Sequence, residues 1–235
     1  MIVPALNEQD TVQKAVEWTL SVLAKITDDY EVIIVDDGST DTTSRIADAL
    51  AARSAHVRVI HNRRPSGYGG ALDSGFTAAR KELIGLITAD CEFHPTDLPR
   101  FVEAIQDADL VTSVVPNRPL PFYRKVLSWG WRTCVHVLLG ERPIIEGTFM
   151  IRDQLFRSLD IESRSGMYVM EMLIKARRSG GRMKVITIDV HPRPDMSKSK
   201  VANLRTTATV FREILALKRR LASFEPIAGR SSKSS

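Results

Sequence analysis

The chain has 235 residues, 43% of them hydrophobic, enough for one large α/β domain or two small ones around a packed core. Its net charge of +5 is unevenly placed: residues 1–115 carry 10 Lys+Arg against 18 Asp+Glu, a net −8, and residues 116–235 carry 23 against 10, a net +13. There is no run of about 18 apolar residues to form a membrane span, and the cysteines, Cys91 and Cys134, lack metal-site spacing and suggest a reducing compartment. No signal peptide is read, since Met1 leads straight into IVPALNE; that abrupt start fits a native N-terminus that is longer or trimmed. An acidic half able to hold a cation thus adjoins a basic half able to face nucleic acid, anionic lipid or phosphate-bearing substrates.

In chain order, Ile2 to Leu6 reads as a strand, and Gln9 to Ile26 as a helix with Val12, Val16, Leu20 and Leu23 on one stripe. Glu31 to Asp36 is a strand. It ends in the polar turn Asp36–Thr40, where Thr40 or Asp41 caps a helix running to about Ala52. His56 to His61 is a strand, followed by the Gly-rich basic loop NRRPSGYGG and a helix from about Gly70 to Arg80. Leu83 to Ile87 is a buried strand, Thr96 to Gln106 a helix and Asp109 to Val115 a strand. Such alternation with short loops predicts a mostly parallel, doubly wound sheet.

The second half differs. Leu120 to Leu139 interleaves Trp, Phe, Tyr and Leu with Arg124, Lys125 and Arg132. That composition suits a helix lying on a membrane surface about as well as a buried one. Ile144 to Arg152 and Lys184 to Val190 read as strands, and Gly166 to Arg178 as a helix. His191 to Lys200 is a Pro-, Ser- and Lys-rich loop. Asn203 to Phe224 is a helix with Leu204, Thr207, Phe211, Ile214 and Leu221 on one stripe, and the Ser/Lys-rich tail from Gly229 reads as disordered.

The chemistry concentrates after strands. LIGLITADCEFHP, Leu83 to Pro95, ends a buried strand in Asp90 and Glu92. In an open α/β sheet, ligands bind beyond the carboxyl ends of strands. Two carboxylates there suit Mg²⁺ or Mn²⁺, which take oxygen ligands and are often completed by substrate phosphates; the plainer alternative is an acidic turn before a helix. Asp36 and Asp37 suit nucleotide binding or a simple Asp-Gly turn with a cap. Gly67, Gly69 and Gly70 suit a phosphate cradle at a helix N-terminus or close helix packing. Lys218–Arg220 extends a basic membrane-facing surface or simply ends a helix. Glu171 and Glu146 are weak acceptor-side candidates, and Glu171 reads equally as an ion-paired helix residue. His61, His94, His136 and His191 show no metal spacing and take no role.

PALNE at Pro4–Glu8, VDDGSTD at Val35–Asp41 and TADCEFHP at Thr88–Pro95 follow successive strands. With GYGGALDSGFTAA at Gly67–Ala79, GMYVMEMLIKAR at Gly166–Arg177 and RPDMSKSK at Arg193–Lys200, they resemble, in order, the family 2 nucleotide-sugar glycosyltransferases. The branch they are most similar to is the polyprenyl-phosphate sugar synthases, of the dolichol-phosphate mannose synthase type. The resemblance implies a GT-A nucleotide-diphospho-sugar transferase fold: a mostly parallel Rossmann-like sheet with helices on both faces. It implies one domain over residues 1–228, with a nucleotide-binding half to residue 115, an acceptor-binding half of amphipathic helices, and a tail at 229–235. By the same resemblance, Pro4, Leu6, Glu8, Val35 and Asp37 line the nucleotide pocket. Ala89, Asp90 and Glu92 sit at the diphosphate, with Asp90 and Glu92 on Mg²⁺ or Mn²⁺, and Arg118, Arg193 and Lys198 bind phosphates. Asp90 and Arg193 are the catalytic candidates. The pattern departs from the family at Thr88, where an Asp usually stands, at Glu92, where Gln often stands, and at Leu6, which replaces a common Tyr.

The implied reaction is one in-line displacement with inversion, from a nucleotide diphosphate sugar to a polyprenyl phosphate. It would run at the cytoplasmic face of a membrane, to which the protein is peripheral. A phosphate acceptor is already ionised near neutral pH and needs no strong base; a hydroxyl acceptor would need one, and Glu146 or Glu171 would be its candidates. The alternatives are transfer to such a hydroxyl, or a domain that binds nucleotide sugar without turnover. A nucleic acid partner is not expected, because the basic residues are scattered and no nucleic-acid motif appears.

Overall fold

The computed structural model describes residues 1–116, 122–141, 147–189 and 204–224. The first half runs β1 (Ile2–Ala5), α1 (Val12–Leu23), β2 (Val32–Asp36), α2 (Thr43–Arg53), β3 (Val57–His61), α3 (Gly67–Ala78), β4 (Leu83–Gly85), α4 (Leu98–Ala104) and β5 (Leu110–Val114). Then follow α5 (Phe122–Leu139), β6 (Phe149–Arg152), α6 (Asp153–Arg157), α7 (Tyr168–Arg178), β7 (Met183–Thr187) and α8 (Leu204–Ser223).

Strands β1, β2 and β3 pair in parallel, with β2 in the middle. A parallel bridge between Ile2 and Leu86 joins them to a second set in the order β4-β6-β5-β7. There β5 and β7 are parallel, and β6 runs antiparallel to both of its neighbours. The mostly parallel sheet expected from the alternating pattern is present, with β6 as the reversed strand.

Successive strand side chains point to opposite faces, and here both faces are buried. Val32 and Ile34 of β2 join Val3, Val12, Val16, Leu50 and Phe101 in one core, on the side of α1, α2 and α4. Ile33 and Val35 join Ile2, Leu72, Phe76, Tyr168 and Met172 in the other, on the side of α3 and α7. That is why VIIV is an unbroken apolar run rather than an alternating one. Phe76 is wholly buried, its ring 5.6 Å from Phe149 and 5.0 Å from Phe156. Truncating it to Ala would cost about 3–5 kcal/mol. Helix α3 lies so close to β1 that a Cβ on Gly75 would fall 2.4 Å from Ile2 Cγ2.

A third core forms between helices: Val135 and Leu139 of α5, Met170 and Ile174 of α7, and Ile214, Leu217 and Leu221 of α8. Helix α7 is therefore buried on two sides. The exposed side of α5 carries Arg132, His136 and Val137, so its described part is amphipathic. Several boundaries differ from the sequence reading. Helix α3 begins at Gly67 rather than Gly70, and 3₁₀ turns at Pro95–Asp97 and Ile105–Asp107 flank a shorter α4. The short helix α6 follows β6 directly, with no loop signal between them. The expected tail lies outside the described residues.

Candidate functional site

Because β1, β2 and the segment at Leu86 run parallel, the chain leaves all three at the same edge of the sheet. Their following loops carry Leu6 and Glu8, Asp37, and Ala89, Asp90 and Glu92. Hydrogen bonds tie the first two loops together. Asn7 adopts a φ of 56°, a left-handed conformation that asparagine tolerates. Its N–H donates to Ser39 Oγ (3.0 Å), and its Oδ1 accepts from Thr40 N–H (2.8 Å). Glu8 N–H donates to Thr43 Oγ1 at 2.8 Å, and Glu8 Oε2 accepts from the Thr11 hydroxyl at 2.8 Å. Asp41, one of the two expected caps, accepts from Thr43 N–H at 2.9 Å at the start of α2.

Pro4 pairs in register with Val35. Val35 is fully buried in the core against α3, so only its backbone faces the strand's ladder and end. Asp36, buried, accepts from Ser39 N–H (3.0 Å) and from the Ser44 hydroxyl. It also meets His61 Nδ1 at 3.0 Å. Burial pushes the Asp36 carboxyl up, but the bonds from Ser39, Ser44 and His61 prevail and hold it below its ordinary value.

Asp37 is also buried. Its Oδ1 accepts from Asn62 Nδ2 (2.8 Å), Ser66 N–H (2.9 Å) and Ser66 Oγ (2.6 Å), and its Oδ2 from Gly67 N–H (3.0 Å). A protein carboxylate thus occupies the N-terminus of α3, where an anion is favoured. The Gly70 N–H donates to Arg164 O at 3.1 Å. A Cβ on Gly69 would fall 2.3 Å from Ser165 O. Of the two readings of the Gly-rich segment, close packing is the one realised; a phosphate cradle would have to displace Asp37 and Arg164. In this arrangement both Asp37 carboxylate oxygens are bonded to the protein's own donors.

At the third loop, Thr88 Oγ1 donates to Asp90 Oδ1 at 2.6 Å, and Glu92 N–H donates to the same oxygen at 3.1 Å. The residue standing where the family has an aspartate therefore orients the aspartate that remains. Asp90 keeps partial exposure, Glu92 is 6% exposed, and Ala89 is buried in the core. Burial raises the Cys91 thiol above its ordinary value; Lys14 pulls it down, and Asp90 and Glu8 push it further up. Lys14, Asp90 and Glu8 are thus each within electrostatic reach of Cys91. Tyr68, at the start of α3, is pushed up to about 12, first by desolvation and then by Asp90. At 45% exposed, it is tempered by water in the first of these.

Among the described residues, no three His, Cys, Asp or Glu side chains gather into a metal-binding group. Asp90 and Glu92 offer only hard oxygen donors, a set that fits Mg²⁺ or Mn²⁺ when a diphosphate supplies further oxygens. Glu171 lies elsewhere, wholly buried in α7 and 2.8 Å from Lys175 Nζ. It is an ion-paired helix residue, and burial closes it to an acceptor. Arg118, Glu146, Arg193 and Lys198 lie outside the described residues.

The model of "Glycosyl transferase family 2" matches residues 1–173. The chain belongs to glycosyl transferase family 2. This glycosyltransferase is 30% identical over 214 residues to an undecaprenyl-phosphate mannosyltransferase of Micrococcus luteus, covering 86% of each chain. It is 30% identical to glycosyltransferase AglD of Haloferax volcanii over 87% of its own length and 35% of that protein's. It is 32% identical to an undecaprenyl-phosphate 4-deoxy-4-formamido-L-arabinose transferase of Sodalis glossinidius over 53% and 39%. The chain thus spans nearly all of the first relative and little more than a third of the other two. Its fold matches glucosyl-3-phosphoglycerate synthase of Mycobacterium tuberculosis with a TM-score of 0.69 at 20% identity, over 95% of this chain and 78% of that one. That structure holds Mn²⁺, UDP and phosphoglyceric acid, and another of the same enzyme holds Mg²⁺ and UDP. The family 2 glycosyltransferase therefore has the GT-A fold expected from its motifs.

Several residues at this site gave no signal of their own. Tyr68 sits inside a glycine-rich motif and reads as packing. Asn7 is polar in a loop, and only its positive φ marks it. His61, assigned no role, lies 3.0 Å from both Asp36 and Asp48, because β3 returns beside β2 and α2.

Proposed function

We propose that this glycosyltransferase moves a sugar from a nucleotide diphosphate sugar to a polyprenyl phosphate, with inversion, at a membrane surface. The observation carrying the reading is the gathering of the Glu8, Asp37 and Asp90 loops at one sheet edge, in a chain that aligns along 86% of an undecaprenyl-phosphate mannosyltransferase. The donor site is assigned to Pro4, Leu6, Glu8, Val35, Asp37, Ala89, Asp90 and Glu92, with Val35 contributing backbone and Asp37 acting through the α3 loop. Arg118, Arg193 and Lys198 are assigned to phosphates, with Arg193 as catalytic partner of Asp90; guanidinium forks and ammonium charges suit phosphate oxygens.

Asp90, with Glu92, would hold Mg²⁺ or Mn²⁺, which when bound offsets the charge that develops on the diphosphate leaving group. Thr88 fixes the Asp90 carboxylate. A phosphate acceptor brings its own ionised nucleophile, so the burial of Glu171 costs the reaction nothing. No helix among the described residues is long and apolar enough to cross a membrane. Attachment at a cytoplasmic face is assigned to the basic, amphipathic helices α5 and α8, where each cation near an anionic surface contributes about 1 kcal/mol.

A second reading, nucleotide-sugar binding without turnover, is favoured by Thr88 alone, since it bonds Asp90 instead of adding a carboxylate. Calorimetric titration with UDP, GDP and other nucleoside diphosphates, each with Mn²⁺, Mg²⁺ and chelator, tests the donor site. Metal-dependent binding of one nucleotide is the expected result; no binding by folded protein would refute the donor assignment. Release of nucleotide from its sugar donor with polyprenyl phosphate present then separates the two readings.

A further inference from the structure

A second polar cluster, away from the strand-end loops, connects the helical half to the donor edge. Helix α8 sends Arg220 into the loop before α7. Its Nη1 donates to Ser163 Oγ at 2.8 Å, and its guanidinium lies 3.7 Å from Glu162 and 3.9 Å from Glu171. Glu171 holds the same loop by its backbone, accepting from Glu162 N–H (3.1 Å) and Ser163 N–H (2.9 Å). Lys175 Nζ, 2% exposed, bonds Glu171 and donates to Asp160 O at 2.6 Å.

The next two residues of that loop touch α3. Arg164 O accepts from Gly70 N–H, the Arg164 side chain pairs with Asp73, and Ser165 O closes on Gly69. This is the helical turn whose Ser66 and Gly67 amides are held by Asp37. One continuous run of contacts therefore joins α8, the Asp160–Ser165 loop, the first turn of α3 and the donor edge. Small side chains keep it tight: there is no room for a Cβ at Gly69.

From these contacts we infer that Arg220 is a positioning residue of the transfer reaction: through the Asp160–Ser165 loop it fixes the first turn of α3, and so Asp37, from the acceptor-side helix. The inference rests on the donor assignment above only for its consequence in catalysis; the link itself is a property of the protein without ligand. Coupling between two places is reciprocal, and contact alone does not demonstrate it. Amide hydrogen exchange on the full chain, with no ligand, reads it directly.

In Arg220→Met, exchange at Glu162 and Ser163 should quicken roughly tenfold or more, as expected for loss of a hydrogen bond from a charged donor. The same acceleration should reach Gly67 and Gly70, and Arg220→Lys should restore most of the protection. Ser163→Ala removes only the hydroxyl acceptor and supplies the same test should Arg220→Met fail to fold. Reciprocally, Asp37→Asn should quicken exchange at Ser163. Acceleration confined to residues 160–165 and α8, with Gly67 and Gly70 unchanged, would overturn the link, as would an Asp37→Asn effect that stops at α3. Titration of the same proteins with UDP and Mn²⁺ reads the consequence: weaker binding in Arg220→Met, rescued by Lys, is expected, and unchanged binding would remove the positioning role. Wild-type protein that binds no nucleoside diphosphate would refute the donor assignment, and the exchange pattern would still decide the link.

Discussion

Asp37 and Glu171 are both buried carboxylates, 3% and 0% exposed, but they are held in different ways. Asp37 is bonded by neutral donors: the Asn62 amide, the Ser66 hydroxyl, and the Ser66 and Gly67 backbone. Glu171 is bonded by backbone as well, but two cations, Lys175 and Arg220, flank it. Neutral dipoles solvate a charge without cancelling it, so Asp37 adds to the negative field of the strand-end edge. Cations cancel it, so the Glu171 cluster is a clamp with little outward field. These two buried carboxylates thus differ in what they are for: Asp37 keeps negative charge near the strand-end loops, and Glu171 holds helices together. Burial therefore does not distinguish a site carboxylate from a structural one; the charge of its partners does.

The largest effect should come from neutralising a carboxylate of the strand-end loops. Asp90→Asn keeps the shape and the Thr88 contact but removes the charge. Nucleotide release with polyprenyl phosphate present should fall at least about 100-fold, on the scale of losing one electrostatic stabiliser of a transition state. Stability should change by less than about 0.5 kcal/mol, as for other partly exposed substitutions. Full activity would sink the assignment of Asp90. Thr88→Val should be milder, about tenfold, since it loses only the hydroxyl that orients Asp90.

In the Glu171 cluster the effect should appear in stability instead. Lys175→Met strips the 2%-exposed cation from a wholly buried Glu171. Removing one partner of a buried pair typically costs about 3–5 kcal/mol; with Arg220 still 3.9 Å from Glu171, the low end, about 3 kcal/mol, is expected. Urea unfolding of the full chain would measure it. Adding Glu171→Met should recover part of the loss, since apolar pairs often replace buried ion pairs at little cost. A single-variant loss below about 1 kcal/mol would mean that Glu171 is not clamped as described.

The difference between the two regions also explains what could be read from residues alone. The strand-end loops follow apolar runs such as Val32–Val35, and side chains of fixed type at fixed offsets make their chemistry visible before any fold is known. The clamp has no such signature. Glu171 and Lys175 are four apart on a helix, as in countless exposed ion pairs, and it is the Asp160–Ser163 loop and the end of α8 that meet them in the fold. Gly69 read as a cradle or as packing because both need a missing side chain; the Ser165 carbonyl decides it, and that loop is nearly 100 residues away in the chain. The start of α3 at Gly67 was missed for the same reason, since its cap is Asp37 from another loop rather than a neighbouring side chain. Asp37 itself reads as a ligand from the motif, and its bonding to the protein's own donors depends on Asn62 and Ser66 arriving from β3.

The smallest effect concerns His61, which stands between the two kinds of carboxylate environment. Its ring nitrogens lie 3.0 Å from buried Asp36 and 3.0 Å from exposed Asp48, and those two bonds raise its pKa above the ordinary value. A group whose pKa is raised on folding stabilises the protein fully below its unfolded pKa, near 6.5, and that contribution fades as pH climbs through the higher folded value. Asp36 has the opposite sign: its lowered pKa gives stability above the unfolded carboxylate value, lost only as pH falls through the folded one. Between those limits, in mildly acid solution, both contributions hold. Stability should therefore decline as pH rises from the unfolded imidazole value, near 6.5, through the higher folded one, and His61→Gln should flatten that slope while leaving the acid limb in place. Because the His61 side chain is 43% exposed, water screens the pair, and the slope should amount to no more than about 1 kcal/mol. Urea midpoints of the two proteins across that range would show it. An unchanged slope in His61→Gln would mean that Ser39 and Ser44 alone hold Asp36 ionised, and that the donor edge keeps its buried charge with no cationic help at all.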